Sequence, residues 1–170
     1  MVRDGKMGVL DGAPLEQVYL IADMHIEAPA QSVWAMVGAF ADPALGKGFV
    51  SHVTLEGEGV GAVRTLHMTD NITGGVVRER QTGRDDRGMY YAYELDDPGD
   101  MPFTDYYGSA HVAPIDETSC RVIWLNRYRT SALLVREMKA QSRLLLELIE
   151  ENLKAALETP AADDKIEENN

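Results

Sequence analysis

Cysteine is nearly absent. Cys120 is the only one among 170 residues, so the chain carries no internal disulfide and no paired-cysteine redox or metal motif. Basic residues are also scarce: 16 Lys and Arg against 28 Asp and Glu leave a net charge of −12. Nucleic acid needs clustered cations along a phosphate track, and an anionic membrane surface attracts the same kind of cluster. Both partner classes are disfavoured. No apolar run approaches the length of a membrane-spanning helix, and the first residues lack the apolar segment and cleavage site of a signal peptide. A soluble, cytoplasmic protein is expected. What is present suits one folded domain: 45% hydrophobic residues, in a length that builds one sizeable core but not two.

The glycines at 5, 8 and 12 and Pro14 mark residues 1–16 as a flexible leader. PAADDKIEENN at the other end has no apolar period, so residues 159–170 read as a disordered acidic tail. The span 17–158 is one domain. Val18, Leu20, Ala22, Met24 and Ile26 alternate with polar residues and predict a half-buried strand over Val18–Glu27. Pro29 opens a helical stretch, Ala30–Phe40, with Val33, Trp34 and Val37 on one stripe. Asp42-Pro43 ends it, and Ala44–Lys47 adds a short turn. Six strands follow at Phe49–Glu56, Ala62–Thr69, Val76–Thr82, Met89–Leu95, Phe103–Ala113 and Cys120–Arg129, separated by Gly- and Asp-rich turns. Thr130 or Ser131 is the expected cap of a last helix reaching Glu158, roughly 42 Å long at 1.5 Å per residue. Its apolar side reads Leu134, Met138, Leu145, Ile149, Leu153 and Ala156. This order predicts an α+β fold in which a curved antiparallel sheet of seven strands wraps one long helix. A sheet curled around a single helix encloses a cavity suited to a small apolar molecule.

Strand parity sorts the polar residues. Arg64 shares a face with Ala62, Leu66 and Met68, and Glu79 shares one with Val77 and Gln81. Both point inward, on hairpin partners, and a buried charge needs such a partner. Tyr91, Tyr93, Tyr106, Trp124, Asn126 and Tyr128 also fall on the inward parity, while Phe49 and Met138 complete the expected lining. A structural clamp is the commoner fate of a buried Arg–Glu pair, and tyrosines favour half-buried strands on propensity alone. The remaining signals are weak. The run GEGVGAV precedes a strand and lacks the Lys-Ser/Thr ending, so it is a hairpin turn and not a phosphate loop. The Asn71-Ile72-Thr73 sequon has no meaning without a secretory route. Asp96, Asp97, Asp100 and Asp105 lack calcium-loop spacing and read as a solvated lip. His25, His52, His67 and His111 all take the outward parity, and no metal is expected.

The segments IEAPAQSVWAMVGAF, GVGAVRTL, VRERQTGRDD, MYYAYEL, FTDYY and CRVIW together resemble the bacterial polyketide cyclase/dehydrase-like branch of the START-like (SRPBCC) superfamily. The resemblance covers about residues 18–158. It implies a helix-grip fold with a deep hydrophobic cavity, and puts Arg64, Glu79, Tyr93, Tyr106 and Trp124 at or near it. Relatives often carry an aromatic-Pro segment where this chain has Phe40-Ala41-Asp42-Pro43, so ligand size does not transfer. Three functions are consistent with the pattern. The first is a cofactor-free cyclase, lyase or isomerase acting on a polyketide, terpenoid or aromatic substrate. There Tyr106 or Tyr93 donates to an oxygen, Arg64 stabilises negative charge and Glu79 takes a proton. An ion-paired carboxylate is a poor base near neutral pH, which weakens that reading. The second is a non-catalytic carrier or sensor of a hydrophobic metabolite. The third is an interaction protein that docks a partner through its leader or tail. A homodimer would be the commonest assembly, though no residue demands one.

Overall fold

The computed structural model describes residues 12–70 and 75–158. The expected leader and tail, apart from residues 12–16, and the Asn71 sequon lie outside the described residues. The elements are β1 (Leu15–Ile26), α1 (Ala30–Val37), a 3-10 turn (Pro43–Gly46), β2 (Val50–Glu56), β3 (Val63–Met68), β4 (Val76–Asp85), β5 (Tyr90–Asp97), β6 (Phe103–Pro114), β7 (Cys120–Ser131) and α2 (Val135–Leu157). All seven strands form one antiparallel sheet in the order β1-β7-β6-β5-β4-β3-β2. The α1 segment carries the chain from β1, at one edge, to β2 at the other. This is the helix-grip arrangement, α+β, with α2 held against the concave face.

Alternation explains the sheet's two faces. In β1, Val18, Leu20, Met24 and Ile26 are buried while Tyr19, Ile21 and Asp23 are exposed. In β7, Val122, Trp124, Asn126 and Tyr128 are buried in the same register. Several strands outrun the sequence pattern, β4 continuing to Asp85 and β5 to Asp97. β1 starts at Leu15 and not Val18, because β7 continues to Ser131 and gives those residues a partner. That continuation also removes the expected helix cap. Thr130 Oγ1 donates to the Pro102 carbonyl (2.6 Å), and Leu134, not Thr130 or Ser131, precedes the first helical turn. The helix is therefore 23 residues, about 35 Å, and shorter than the sequence suggested.

The buried stripe of α2 is Met138, Ser142, Leu146, Ile149 and Leu153. The sequence reading is corrected at Ala156, which is exposed, and at Leu134, which precedes the helix; Leu145 is half-buried, packs against the core and lines the cavity. Ser142 and Leu146 join the buried side, at helical spacings of four from Met138. A polar residue takes the buried position because Tyr128 reaches it: the phenol donates to the Met138 carbonyl (2.9 Å) and shares a hydrogen bond with Ser142 Oγ (2.8 Å). Helix α1 ends early, at Val37, where the next residue is wedged against Trp34; a Cβ on Gly38 would lie 2.8 Å from the indole. Phe40 is buried nonetheless, in the loop that follows.

Candidate functional site

The concave face is closed in two parts. Helix α1 and Phe40 cover one end, where Tyr91 is wholly buried between Trp34, Phe40, Tyr93 and Trp124. Helix α2 and the 3-10 turn roof the other end, and beneath them lies a cavity of about 130 Å³. The wall includes nine of the ten residues that parity and resemblance put there: Arg64, Glu79, Tyr106, Tyr93, Trp124, Asn126, Tyr128, Met138 and Phe49. Tyr91 is not among them. It has the inward parity, but α1 has already filled the space above it.

Arg64 and Glu79 lie directly opposite each other on β3 and β4. Arg64 Nε donates to Glu79 Oε2 at 2.7 Å, Nη2 lies 2.7 Å from the same oxygen, and Nη1 donates to the Phe40 carbonyl at 3.0 Å. The guanidinium carbon sits 4.2 Å from the Phe40 ring centre and 5.0 Å from that of Tyr93, within cation–π range. Burial works against the arginine charge, but Glu79 outweighs it and holds the Arg64 pKa above its ordinary value. Arg64 is thus charged at any physiological pH.

The tyrosines are neutral donors. Trp124 Nε1 donates to the Tyr93 hydroxyl at 3.1 Å, which fills an acceptor site and leaves the phenolic proton free to be donated. Burial pushes the Tyr93 hydroxyl up, with the Glu79 charge adding to it. Burial likewise pushes Tyr106 well above its ordinary value, helped by Tyr93 and Glu79. Tyr106 stacks on Tyr128, ring centres 5.8 Å apart and planes 10° from parallel. It reaches the cavity together with Phe103, three residues earlier, a spacing that strict alternation forbids. A bulge at Asp105 (φ 53°) supplies the extra residue. Asn126 is the remaining polar group of the sheet wall: buried, with no hydrogen-bond partner for Oδ1.

Sequence reasoning passed over several wall residues. Gln141 and Ser142 follow Met138 at i+3 and i+4, so that spacing was the signal for them. The Phe40 carbonyl carried no signal, being backbone. Nor did Asn152, whose amide donates to the Leu45 and Lys47 carbonyls (2.8 and 2.9 Å) and ties the 3-10 turn down over the cavity. Among the described residues there is no cluster of three metal-ligating side chains, and no helix is long and apolar enough to cross a membrane. The four histidines lie away from the cavity wall, with His52 and His67 stacked on each other at 3.8 Å.

Comparison with known proteins agrees with this architecture. The family described as polyketide cyclase / dehydrase and lipid transport matches residues 20–159. Similar solved structures include the Zhui aromatase/cyclase from Streptomyces sp. R1128, with a TM-score of 0.72 and 16% identity over 83% of this chain and 93% of that one. Norcoclaurine synthase from Thalictrum flavum, solved with dopamine and hydroxybenzaldehyde, has a TM-score of 0.69 and 16% identity, covering 92% and 93%. XoxI from Bacillus cereus has a TM-score of 0.71 and 19% identity, covering 82% and 95%. At these identities the structural likeness carries the fold and nothing finer. No curated protein matches by sequence.

Proposed function

The chain belongs to the polyketide cyclase / dehydrase and lipid transport family, and from its cavity we propose a cofactor-free cyclase, lyase or isomerase acting on a small hydrophobic substrate of polyketide, terpenoid or aromatic type. The observation that carries this is the position of the polar groups. Arg64–Glu79, Tyr93, Tyr106 and Asn126 all stand on the wall of one apolar cavity. Acid–base chemistry on a carbonyl compound needs a dry space, a donor to the oxygen and a base for the carbon-bound proton. Tyr93 or Tyr106 is the donor to a substrate oxygen, Arg64 steadies the negative charge that develops there, and Glu79 receives the proton. The cavity is partly open to solvent, and its inner part has room for about one ring, since a cavity of roughly 150 Å³ in another protein holds benzene.

One observation favours a second reading, a carrier. Arg64 joins Glu79, the Phe40 carbonyl and two aromatic faces in a single knot, which is what a brace between hairpin and loop looks like. Native mass spectrometry of protein taken gently from its own host separates the two. A metabolite retained intact supports the carrier. An empty cavity sends the protein to turnover assays on hydrophobic ketones, with Glu79→Gln as the control. The enzyme reading expects wild type to form product and Glu79→Gln to lose that activity while staying folded. Equal turnover by the two proteins refutes the role given to Glu79.

A further inference from the structure

The two edges of the sheet are built differently. At β2 the edge is seven residues long and its register with β3 slips between Val50 and His52. Natural sheets blunt their edges in this way, with short strands and bulges. At β1 the edge runs twelve residues in unbroken register with β7, and contains neither proline nor glycine. Among the described residues no backbone group from another element bonds to its outer side. Its outward face shows two large apolar side chains, Tyr19 at 53% exposure and Ile21 at 56%.

We propose that β1 is a self-association edge, at which two copies of this chain pair antiparallel to continue one sheet across both. The pleat requires directly opposed residues to point to the same face, and of the registers this allows, the one centred on Leu20 brings the two exposed apolar side chains together. Centred on Leu20, the pairing sets Tyr19 of each copy opposite Ile21 of the other. The result is two aromatic–β-branched pairs, a favourable cross-strand combination. On the inward face Leu20 meets Leu20, and Val18 meets Ala22. The charges agree as well. Gln17 faces Asp23 of the other copy, and each Asp23 remains paired with Arg121 on its own β7. Continuing outward, Gln17 is flanked by Arg129 and Asp23 by Ile123, their register partners on β7, so a row across the junction reads Arg129, Gln17, Asp23, Ile123, with Arg121 reaching Asp23 diagonally. No two like charges stand opposite each other. The net charge of −12 per copy opposes association, so pairing strengthens as salt screens that repulsion.

The test is sedimentation equilibrium of the full chain over a range of concentration and ionic strength. Wild type is expected to reach twice the chain mass of 18.8 kDa, and more readily at higher salt. The Tyr19→Lys/Ile21→Lys variant sets lysines opposite one another and is expected to stay monomeric, with its circular dichroism unchanged because both sites are exposed. Leu55→Lys, on the other edge, should leave the dimer intact. Register is read independently by mixing Tyr19→Cys and Ile21→Cys proteins under oxidation. The mixed disulfide should exceed either homodisulfide, and the native Cys120 is buried and does not compete. A wild type that is monomeric throughout, a dimer indifferent to the double lysine variant, or no preference for the mixed disulfide overturns the proposal.

Discussion

Gly108 is the position at which one methyl group tests the geometry of the cavity wall. It lies on β6 between Tyr93 of β5 and Asn126 of β7. A Cβ there would stand 2.2 Å from Tyr93 Cζ and 2.4 Å from its hydroxyl oxygen. The phenol therefore lies flat across the glycine, and in Gly108→Ala it must retreat by more than roughly 1 Å to regain van der Waals contact. Retreat is possible only toward the cavity, which pulls the hydroxyl away from Trp124 Nε1. Overpacking of this kind costs about 1–3 kcal/mol, and a buried indole N–H left unpaired costs about 1–3 kcal/mol more. Replacing a strand glycine returns about 0.5–1 kcal/mol of chain entropy. The expected net loss is about 1–5 kcal/mol, read as a lower urea midpoint with an unchanged slope. Tyr93→Leu removes the atoms that clash, so Gly108→Ala should cost much less in that background, with a coupling of about 1–3 kcal/mol. A Gly108→Ala protein within about 0.5 kcal/mol of wild type, or additive single substitutions, would refute the placement of Tyr93.

Arg64→Met should be among the most damaging single changes, because it strands the Glu79 carboxylate in an apolar wall. A loss of about 3–5 kcal/mol is expected in urea unfolding at neutral pH, and one under about 1 kcal/mol would contradict the burial. Tyr93 and Tyr106 have folded pKa values above the unfolded value of 10.0. Their contribution to stability is complete below about pH 10 and is lost as pH rises through the raised values. The unfolding free energy should then stay flat from neutral pH to about 10 and fall beyond, by up to about 1.4 kcal/mol per pH unit per tyrosine. Tyr106→Phe should flatten that fall, and an unchanged alkaline limb would count against it. Asn126→Leu removes a buried oxygen that has no partner, so stability should change by less than about 1 kcal/mol. Calorimetry on whatever ligand the native protein retains should nonetheless show about tenfold weaker binding, the worth of one hydrogen bond.

Element order was legible in the chain because alternation and helical periodicity act locally. A strand with Val18, Leu20, Met24 and Ile26 on one side can bury only that side, so the concave faces of β1, β3, β4 and β7 followed from parity. Parity also brought Arg64 and Glu79 to opposed positions. It reached its limit at three places, each set by something outside the local pattern. Tyr91 has the parity of Tyr93, yet α1 lies over one and not the other, and that is tertiary information. Phe103 and Tyr106 both face inward only because of the Asp105 bulge, and no glycine marks that bulge. The helix start moved to Val135 because the Thr130 and Ser131 backbones continue the ladder opposite Glu16 and Leu15, and Ser131 Oγ accepts from Leu133 N–H in the turn before the helix.

Whether Arg64–Glu79 braces the fold or performs chemistry is a false choice on this geometry. A guanidinium has five N–H groups. Nε–H and one N–H of Nη1 are given to Glu79 and Phe40, and Nη2 leans on the same carboxylate oxygen. A second N–H on Nη1 and another on Nη2 stay available to a ligand oxygen. On the carboxylate, both arginine contacts fall on Oε2, so Oε1 lies outside the fork. One pair can therefore hold the hairpin to the loop through one set of atoms and face a substrate with the other. The two roles separate by substitution. Glu79→Gln keeps an acceptor for Arg64 and removes the base, whereas Glu79→Ala removes both. A brace alone makes stability and function fall together across the two variants. A brace that also accepts a proton loses turnover fully in Glu79→Gln, while most of the additional instability waits for Glu79→Ala.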